Sequence, residues 1–196
     1  MVAAGCAEKQ AGSPYLTPDA TGTGTPSTSS SARPTGSSGG SAPKINNPLD
    51  ASRYLGQPCA MLTASQVQPF NLPAQGKPDT DSDTAKTVGP SCSWFNRDTG
   101  SGVAVSLLTG NKHGLSDTYQ GRAQFKGYFE PIEVDGYPAV FSSNVDDRGD
   151  GVCDLVVGVS ENLAFLSDVQ DSQLGPKACD RAKQFASLVL KTMKGA

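Results

Sequence analysis

The sequence between residues 153 and 168 reads CDLVVGVSENLAFLSD, and it gives the clearest indication of the architecture. Two mainly apolar runs, 153–160 and 163–168, stand on either side of Glu161 and Asn162. Such runs are typical of strands, and a two-residue connection between them is typical of a β-hairpin. Strands joined so tightly pair antiparallel, because a parallel pair needs a long crossover connection. The stretch therefore predicts an antiparallel sheet.

Further strands are predicted upstream of this hairpin. Residues 92–95 and 103–107 flank a turn rich in Gly, Ser and Thr, and residues 129–134 and 139–142 flank a Gly-Tyr-Pro turn. Each pair has the composition and spacing of strands joined by a turn. The segment 74–91 consists mostly of polar residues, Gly and Pro, which predicts a long polar loop.

Two short helices are predicted ahead of the strands. Asp50 is a candidate N-cap for a helical turn. Thr63, with Gln66 three residues later, matches a capping box and predicts a helix over 64–68. Pro69 and Pro73 prevent this helix from continuing.

Two longer helices complete the pattern. Apolar residues at helical spacing predict a helix over 115–125. Pro176 predicts the start of a C-terminal helix, whose apolar face carries Ala178, Ala182, Phe185, Leu188 and Val189. The resulting fold class is α+β, with an antiparallel sheet of about five to six strands and the helices packed on one face.

Residues 7–45, which precede this domain, are almost entirely Ser, Thr, Gly, Pro and Ala. Such a segment cannot bury enough apolar surface to offset the entropy of ordering its backbone. We therefore expect a disordered tether over 7–45, followed by a single α+β domain over 46–196.

The tether begins directly after Cys6, which follows Ala3, Ala4 and Gly5. Small residues ending in Gly before a Cys resemble a lipobox, although Leu is usual at the position of Ala3. Residues 1–6 are therefore interpreted as the remnant of a signal peptide with a lipidated Cys6. Two acyl chains anchor a protein stably, whereas one binds only marginally. We expect the protein on the extracytoplasmic face of the cell membrane.

Four further cysteines lie in the predicted domain, and an even number in an exported protein predicts two disulfides. Their spacing does not match a zinc site, since none lies within four residues of another and the chain has one His. Three connectivities are possible. We favour a pairing of Cys59 with Cys179, which would tie the helical ends together. The second bond would then join Cys92 to Cys153 at two strand starts.

Several motifs resemble one known family. They are PCAMLT at 58–63, CSW at 92–94, VDGYPAV at 134–140, CDLVVGV at 153–159 and Ala-Cys at 178–179. Together they resemble an actinobacterial lipoprotein family catalogued as domain of unknown function 3558, over roughly 46–193. The resemblance implies an exported location and the family's fold, and it supplies no catalytic residues.

The composition argues against two classes of function. The net charge is -3, 18% of residues are charged, and no basic stripe is present. Nucleic acid is therefore not expected as a partner. The sequence has no apolar run near the ~20 residues that span a bilayer.

Two loops contain residue types that occur in functional sites. His113, Ser116 and Asp117 are the residue types of a nucleophilic triad, but neighbours on one loop do not converge as a triad requires. We interpret Ser116 and Asp117 as first-turn residues of the next helix. The segment 146–151 resembles a calcium loop and contains Arg-Gly-Asp, yet Arg148 and Val157 occupy positions that need ligands. A charged turn is favoured.

Two residue sets on predicted strands also contain groups that occur in functional sites. Glu130 and Glu133 have odd spacing, which places them on opposite faces of a strand and argues against a two-carboxylate site. A set of aromatic residues could stack on a ligand but is favoured as core: Trp94, Tyr128, Tyr137 and Phe141.

We expect a non-enzymatic binding module that presents a pocket or sheet face to an envelope protein or small ligand, without metal or cofactor. The alternatives are an enzyme or enzyme accessory acting on envelope polymers, and a sensory or structural subunit of a membrane complex. The enzyme would require Asp154, Glu130 or His113 to converge in one pocket.

Overall fold

The computed structural model describes residues 40–195. Cys6, the predicted signal-peptide remnant and residues 7–39 of the predicted tether lie outside the described residues. Within the described part, Ala42 donates its backbone N–H to the Ser116 hydroxyl at 3.3 Å. Ile45 packs against the main core. These two residues, expected in the tether, therefore contact the sheet and helices.

A single antiparallel sheet of seven strands forms the centre of the described part, in the order β1-β2-β3-β7-β6-β5-β4. The strands are β1 Lys77–Asp79, β2 Ser91–Asn96, β3 Ser101–Leu107, β4 Tyr128–Val134, β5 Tyr137–Ser143, β6 Val152–Ser160 and β7 Leu163–Gln170. All six pairings are antiparallel. The predicted α+β class and antiparallel sheet are confirmed.

The sheet is larger than the predicted five to six strands, because β1 lies inside the segment predicted as a loop. Its three residues pair with β2, with Pro78 opposite Cys92. Such a short polar strand has no alternating pattern to reveal it. Proline is tolerated here because β1 is an edge strand, and the other edge strand, β4, also contains a proline, Pro131.

The hairpin predicted at Glu161 and Asn162 is confirmed, since Ser160 of β6 pairs directly with Leu163 of β7. An irregularity between Gly158 and Ser160 then shifts the register of the rest of the hairpin. This shift decides which residues of the two strands face each other.

The helices are α1 Ser52–Gly56, α2 Ala64–Val67, α3 Asp83–Thr87, α4 Leu115–Gln120 and α5 Ala178–Met193. The capping box of α2 is present, with Gln66 Oε1 accepting the Thr63 N–H at 2.7 Å. The helix α3 lies in the segment predicted as a loop. The helix α4 is shorter than predicted and continues as a 3-10 turn, Gly121–Gln124. A further 3-10 turn, Gly175–Lys177, precedes α5.

Helices lie on both faces of the sheet, so the prediction of one covered face is wrong. The first face carries α5, whose Phe185 joins a core with Leu155 and Phe165. The second face carries α4, whose Leu115 packs with Val156. The side chains of a strand point alternately to the two faces of a sheet. Strand β6 has apolar side chains on both faces, Leu155 on the first and Val156 on the second, and a helix packs on each.

Two disulfides are present, but the favoured pairing is wrong. Cys59 bonds to Cys92 and Cys153 bonds to Cys179. Strands β2 and β6 are separated by β3 and β7, which places Cys92 and Cys153 roughly 14 Å apart at the usual strand spacing. A disulfide needs Cα atoms within about 7 Å. Each bond instead joins a strand to the helical segment packed over it.

In the described part of the chain, no helix has the length and apolar character required to cross a membrane.

Candidate functional site

A groove of about 620 Å³ lies on the second face of the sheet, beside α4. We call it the acidic groove. Its floor includes Val156 of β6 and Leu166 of β7, while Thr118 of α4 and Gln124 of the following 3-10 turn contribute to its wall. The groove exists because α4 is short and covers only part of this face. Three aspartates line it: Asp117, Asp147 and Asp154.

Asp154 has a second carboxylate beside it. It stands directly opposite Asp168 in the register of β6 and β7. Directly opposed side chains share a face and have Cβ atoms about 5 Å apart. Asp154 lines the acidic groove, whereas Asp168 lines a smaller cavity of about 100 Å³ together with Phe95 and Ala104. The pair therefore stands between the two cavities.

This environment disfavours ionisation of both carboxyls. Burial raises the pKa of Asp154, and the Ser143 hydroxyl acts in the opposite direction by hydrogen bonding to it. Burial, followed by the charge of Asp154, raises the pKa of Asp168 to about 6. Two opposed carboxyls titrate as a pair, and the first negative charge makes the second less favourable. Near neutral pH the pair retains a proton for part of the time.

Two polar atoms at this place have no hydrogen-bond partner among residues 40–195: Ser142 Oγ and Asp168 Oδ1. Ser142 is only 4% exposed and lines the acidic groove. A buried polar atom without a partner costs about 1–3 kcal/mol. A ligand group in the groove could supply the missing partner for Ser142.

The rim of the groove is held by a hydrogen-bonded loop. Asp117 accepts the backbone N–H of His113 at 3.0 Å, and its other oxygen lies 2.9 Å from the His113 ring nitrogen Nδ1. The hydrogen bond from the His113 backbone is the main cause that lowers the pKa of Asp117. Asp117 therefore stays ionised at the mouth of the groove, whereas Asp154 at its base, with Asp168 beside it, resists ionisation.

A nucleophilic triad is not assembled from the three residues considered from sequence. His113 and Asp117 are paired, but the Ser116 hydroxyl accepts the Ala42 N–H. The His113 side chain is 73% exposed. Glu130, also considered for an enzyme, forms an ion pair with Arg148 at 2.9 Å on the edge of the sheet. Asp154 is therefore not brought together with Glu130.

The loop at 146–151 is a charged turn, as favoured. Arg148 donates to both carboxylate oxygens of Asp146, at 2.7 and 2.6 Å, and its guanidinium lies 4.3 Å from the centre of the Tyr128 ring. These contacts engage Arg148 and Asp146, one residue from the Arg-Gly-Asp pattern and one from the calcium-like pattern. Within residues 40–195, no cluster of three or more His, Cys, Asp or Glu residues is arranged to hold a metal.

The two glutamates and the aromatic residues on the strands lie where the sequence patterns predicted. Glu130 and Glu133 face opposite sides of β4, which their register with β5 confirms. Three aromatic residues are buried, namely Trp94, Tyr128 and Tyr137, and Phe141 packs against the same core. The core interpretation of this set is confirmed.

Sequence reasoning missed Asp168 and Ser142 as site residues. The sequence contains a signal for Asp168, because each mainly apolar strand of the β6–β7 hairpin carries one aspartate, Asp154 in β6 and Asp168 in β7. Without the register shift near Gly158, however, the two aspartates would fall on opposite faces. Ser142 had no signal, since a serine near the end of a strand is common.

Comparisons with known proteins give one family. The family model described as "Protein of unknown function (DUF3558)" matches residues 1–192. Neither the curated proteins nor the solved structures yielded a match to this chain. Because the family match spans nearly the whole sequence, the chain belongs to the DUF3558 family.

Proposed function

We propose that the protein is a non-enzymatic binding module of the cell envelope, anchored through an acylated Cys6, and that the acidic groove binds its ligand. The observation that carries this proposal is the groove itself. It combines a volume typical of small-molecule sites with an apolar floor and a few polar groups directed into it. The buried Ser142 hydroxyl lacks a partner that a ligand could provide.

Binding fits the arrangement of carboxylates better than catalysis does. A two-carboxylate enzyme needs both acids to reach its substrate. Here Asp154 lines the groove, but Asp168 lines the neighbouring cavity. The two acids are adjacent, yet they do not open into the same space. His113 and Ser116 are likewise engaged separately.

Support for the anchor comes from the sequence. Gly5 and Cys6 form the end of a lipobox-like pattern, and the segment after Cys6 has the composition of a flexible tether. A chain of that length has a root-mean-square span of roughly 35 Å. The groove would therefore sample a layer of space above the membrane, where a module that captures a dilute ligand is useful.

Anchoring is tested by fractionation. The full chain is expressed behind a bacterial lipoprotein export leader, next to a Cys6→Ser variant. We expect the first protein in the membrane fraction with the added mass of a diacylglyceryl group, and the variant in the released fraction. An unmodified wild-type chain, or a variant that remains with the membrane, would overturn the anchor.

Binding in the groove is tested by NMR with a fragment library. The ¹⁵N-labelled full chain carrying Cys6→Ser is titrated, and shifts of the Val156 and Thr118 amides report on the groove. Shifts near Ser187, in a separate surface groove beside α5, serve as the control. We expect hits to concentrate at the acidic groove. Hits spread evenly over the surface would contradict the proposal, and turnover of a fragment would favour an enzyme.

A further inference from the structure

We propose that the acidic groove binds an organic cation, a protonated amine carried on an apolar body, and that Asp154 and Ser142 receive the ammonium group. This inference rests on the proposed function, since it names the ligand class of the same groove. The charges around the groove, its unpartnered Ser142 hydroxyl and its exposed apolar rim each support it.

The charge of the groove is one-sided. Carboxylates face it from three elements: Asp117 from α4, Asp147 from the turn before β6, and Asp154 from β6. Asp168 of β7 adds a fourth acid directly behind Asp154. Among the described residues that line the groove, none is Lys, Arg or His. Carboxylates around one concave space repel each other, and a cation relieves that repulsion.

Three basic side chains in this region are engaged with other partners. Arg148 is held by Asp146 and Glu130. Arg122 lies over the Phe129 ring at 5.0 Å. His113 interacts with Asp117 on the rim and is mostly exposed. None of the ion pairs found among residues 40–195 involves Asp154, so its carboxyl is available to a ligand cation.

The hydrogen-bonding capacity at the base also suits an ammonium group. An ammonium carries three donors and no acceptor. Ser142 Oγ is buried without a partner, and Asp154 lines the same groove. A ligand amine could donate to both. An anionic ligand would instead meet three carboxylates, and a neutral hydroxyl would leave their charge uncompensated.

The rim explains why the cation should carry an apolar body. Val88 and Val145 are 39% and 59% exposed, and both line the groove. Leu108 and Phe125 line it as well. Exposed apolar side chains around a concave site mark a surface that a ligand covers. A bare metal ion would not use these contacts.

The test compares matched probes that differ only in their polar group: 2-phenylethylamine, 2-phenylethanol and phenylacetate. Each is titrated into the ¹⁵N-labelled full chain carrying Cys6→Ser. We expect the amine to shift the Val156 and Thr118 amides, with an affinity roughly tenfold higher than that of the alcohol because a charge-assisted hydrogen bond is gained. Phenylacetate should not bind.

Two variants provide the control for charge. Asp154→Asn should weaken amine binding roughly tenfold, the loss expected for one charge-assisted hydrogen bond. Asp98→Asn removes the same charge from the exposed turn between β2 and β3, and it should leave the affinity unchanged. Equal effects of the two variants would show a non-specific charge effect and overturn the inference.

The outcomes separate the inference from the function on which it rests. If the alcohol binds in the groove as tightly as the amine, the groove remains a binding site but its preference for cations is wrong. If calcium chloride alone displaces the amine at equal concentration, the site is a metal site and the inference is also wrong. If neither the probes nor the fragment library moves the groove amides, the proposed function fails as well.

Discussion

Asp154 and Asp168 stand directly opposite each other on β6 and β7, with both carboxyls on the second face of the sheet. Like charges in such cross-strand positions destabilise a sheet. The β6–β7 hairpin thus contains an unfavourable pair at its centre. Such violations of local rules are expected at functional or strained sites, which agrees with the binding proposed for this groove.

The carboxyl pair predicts how stability depends on pH. Folding raises the pKa of Asp168 from 3.8 to about 6. The stabilisation from this group is complete below its unfolded pKa and is lost as the pH rises through 6. The free energy of unfolding of Asp168→Asn at pH 7.5 should therefore exceed that of the wild type by about 1–2 kcal/mol, after allowance for solvent screening.

Urea unfolding at pH 4.5 and 7.5 measures this difference. The gap between variant and wild type should be larger at pH 7.5. Asp98→Asn, on an exposed turn, should show no such gap. An Asp168→Asn variant that is less stable than wild type at pH 7.5 would show that the carboxylate makes a favourable contact instead.

The unpartnered serine should separate stability from binding. Ser142→Ala removes a buried hydroxyl that has no partner, so the free energy of unfolding should rise by about 1 kcal/mol. Its affinity for 2-phenylethylamine should fall at the same time. The matched variant is Ser167→Ala, because the Ser167 hydroxyl donates to the Ala182 carbonyl at 3.2 Å. The free energy of unfolding of Ser167→Ala should fall by about 1 kcal/mol. Denaturant curves and NMR titrations check both.

The two disulfides should be found by peptide mapping under non-reducing conditions. We expect linked peptides for Cys59 with Cys92 and for Cys153 with Cys179. Replacing Cys153 and Cys179 with Ser should lower the free energy of unfolding by about 3 kcal/mol, the value for a loop of this length. A peptide that links Cys92 to Cys153 would contradict the sheet order.

Two glycines distinguish backbone strain from steric conflict. Both have positive φ, 141° at Gly89 and 70° at Gly100. A Cβ at Gly89 would lie 1.8 Å from the Leu107 carbonyl oxygen, whereas Gly100 has open space. Gly100→Ala should lower the free energy of unfolding by about 1 kcal/mol, because alanine is strained in the left-handed backbone conformation. Gly89→Ala should cost several times more, and thermal melts would show the difference. Equal losses would contradict the close contact at Gly89.

Amine binding should depend on pH in a defined direction. The pair of Asp154 and Asp168 retains a proton at low pH, since burial raises both pKa values. A bound ammonium favours the ionised form and competes with this proton. The affinity for 2-phenylethylamine should therefore rise between pH 5 and pH 7.5. Calorimetry at both values tests this, and an affinity independent of pH would place the amine away from the pair.

Much of the fold was predictable from local patterns. The hairpin at Glu161 and Asn162, the capping box at Thr63 and the antiparallel sheet follow from spacing and turn chemistry, which act over a few residues. The strand β1 was not predictable, because three polar residues around Pro78 are recruited only by the neighbouring β2. The disulfide pairing was not predictable either, since it depends on the order of strands within the sheet.

The candidate site depends on strand register, which local sequence patterns do not specify. Ser160 pairs with Leu163, but Gly158 pairs with Ala164. A regular hairpin would therefore have placed Asp154 opposite Val169 instead of Asp168. One backbone irregularity brings the two carboxyls to one face, and its mark in the sequence is Gly158, because a glycine inside a strand can signal a bulge.

If Cys6 anchors the chain as proposed, the two edge strands bear on how neighbouring copies meet. Pro78 on β1 and Pro131 on β4 each remove a backbone donor from an edge of the sheet. Molecules confined to a membrane collide in two dimensions, where their local concentration is high. An edge strand that lacks a backbone donor cannot form a complete set of hydrogen bonds with the edge strand of a neighbouring molecule, which disfavours their pairing. Crowded copies would therefore remain separate and free to diffuse, each with its own groove open.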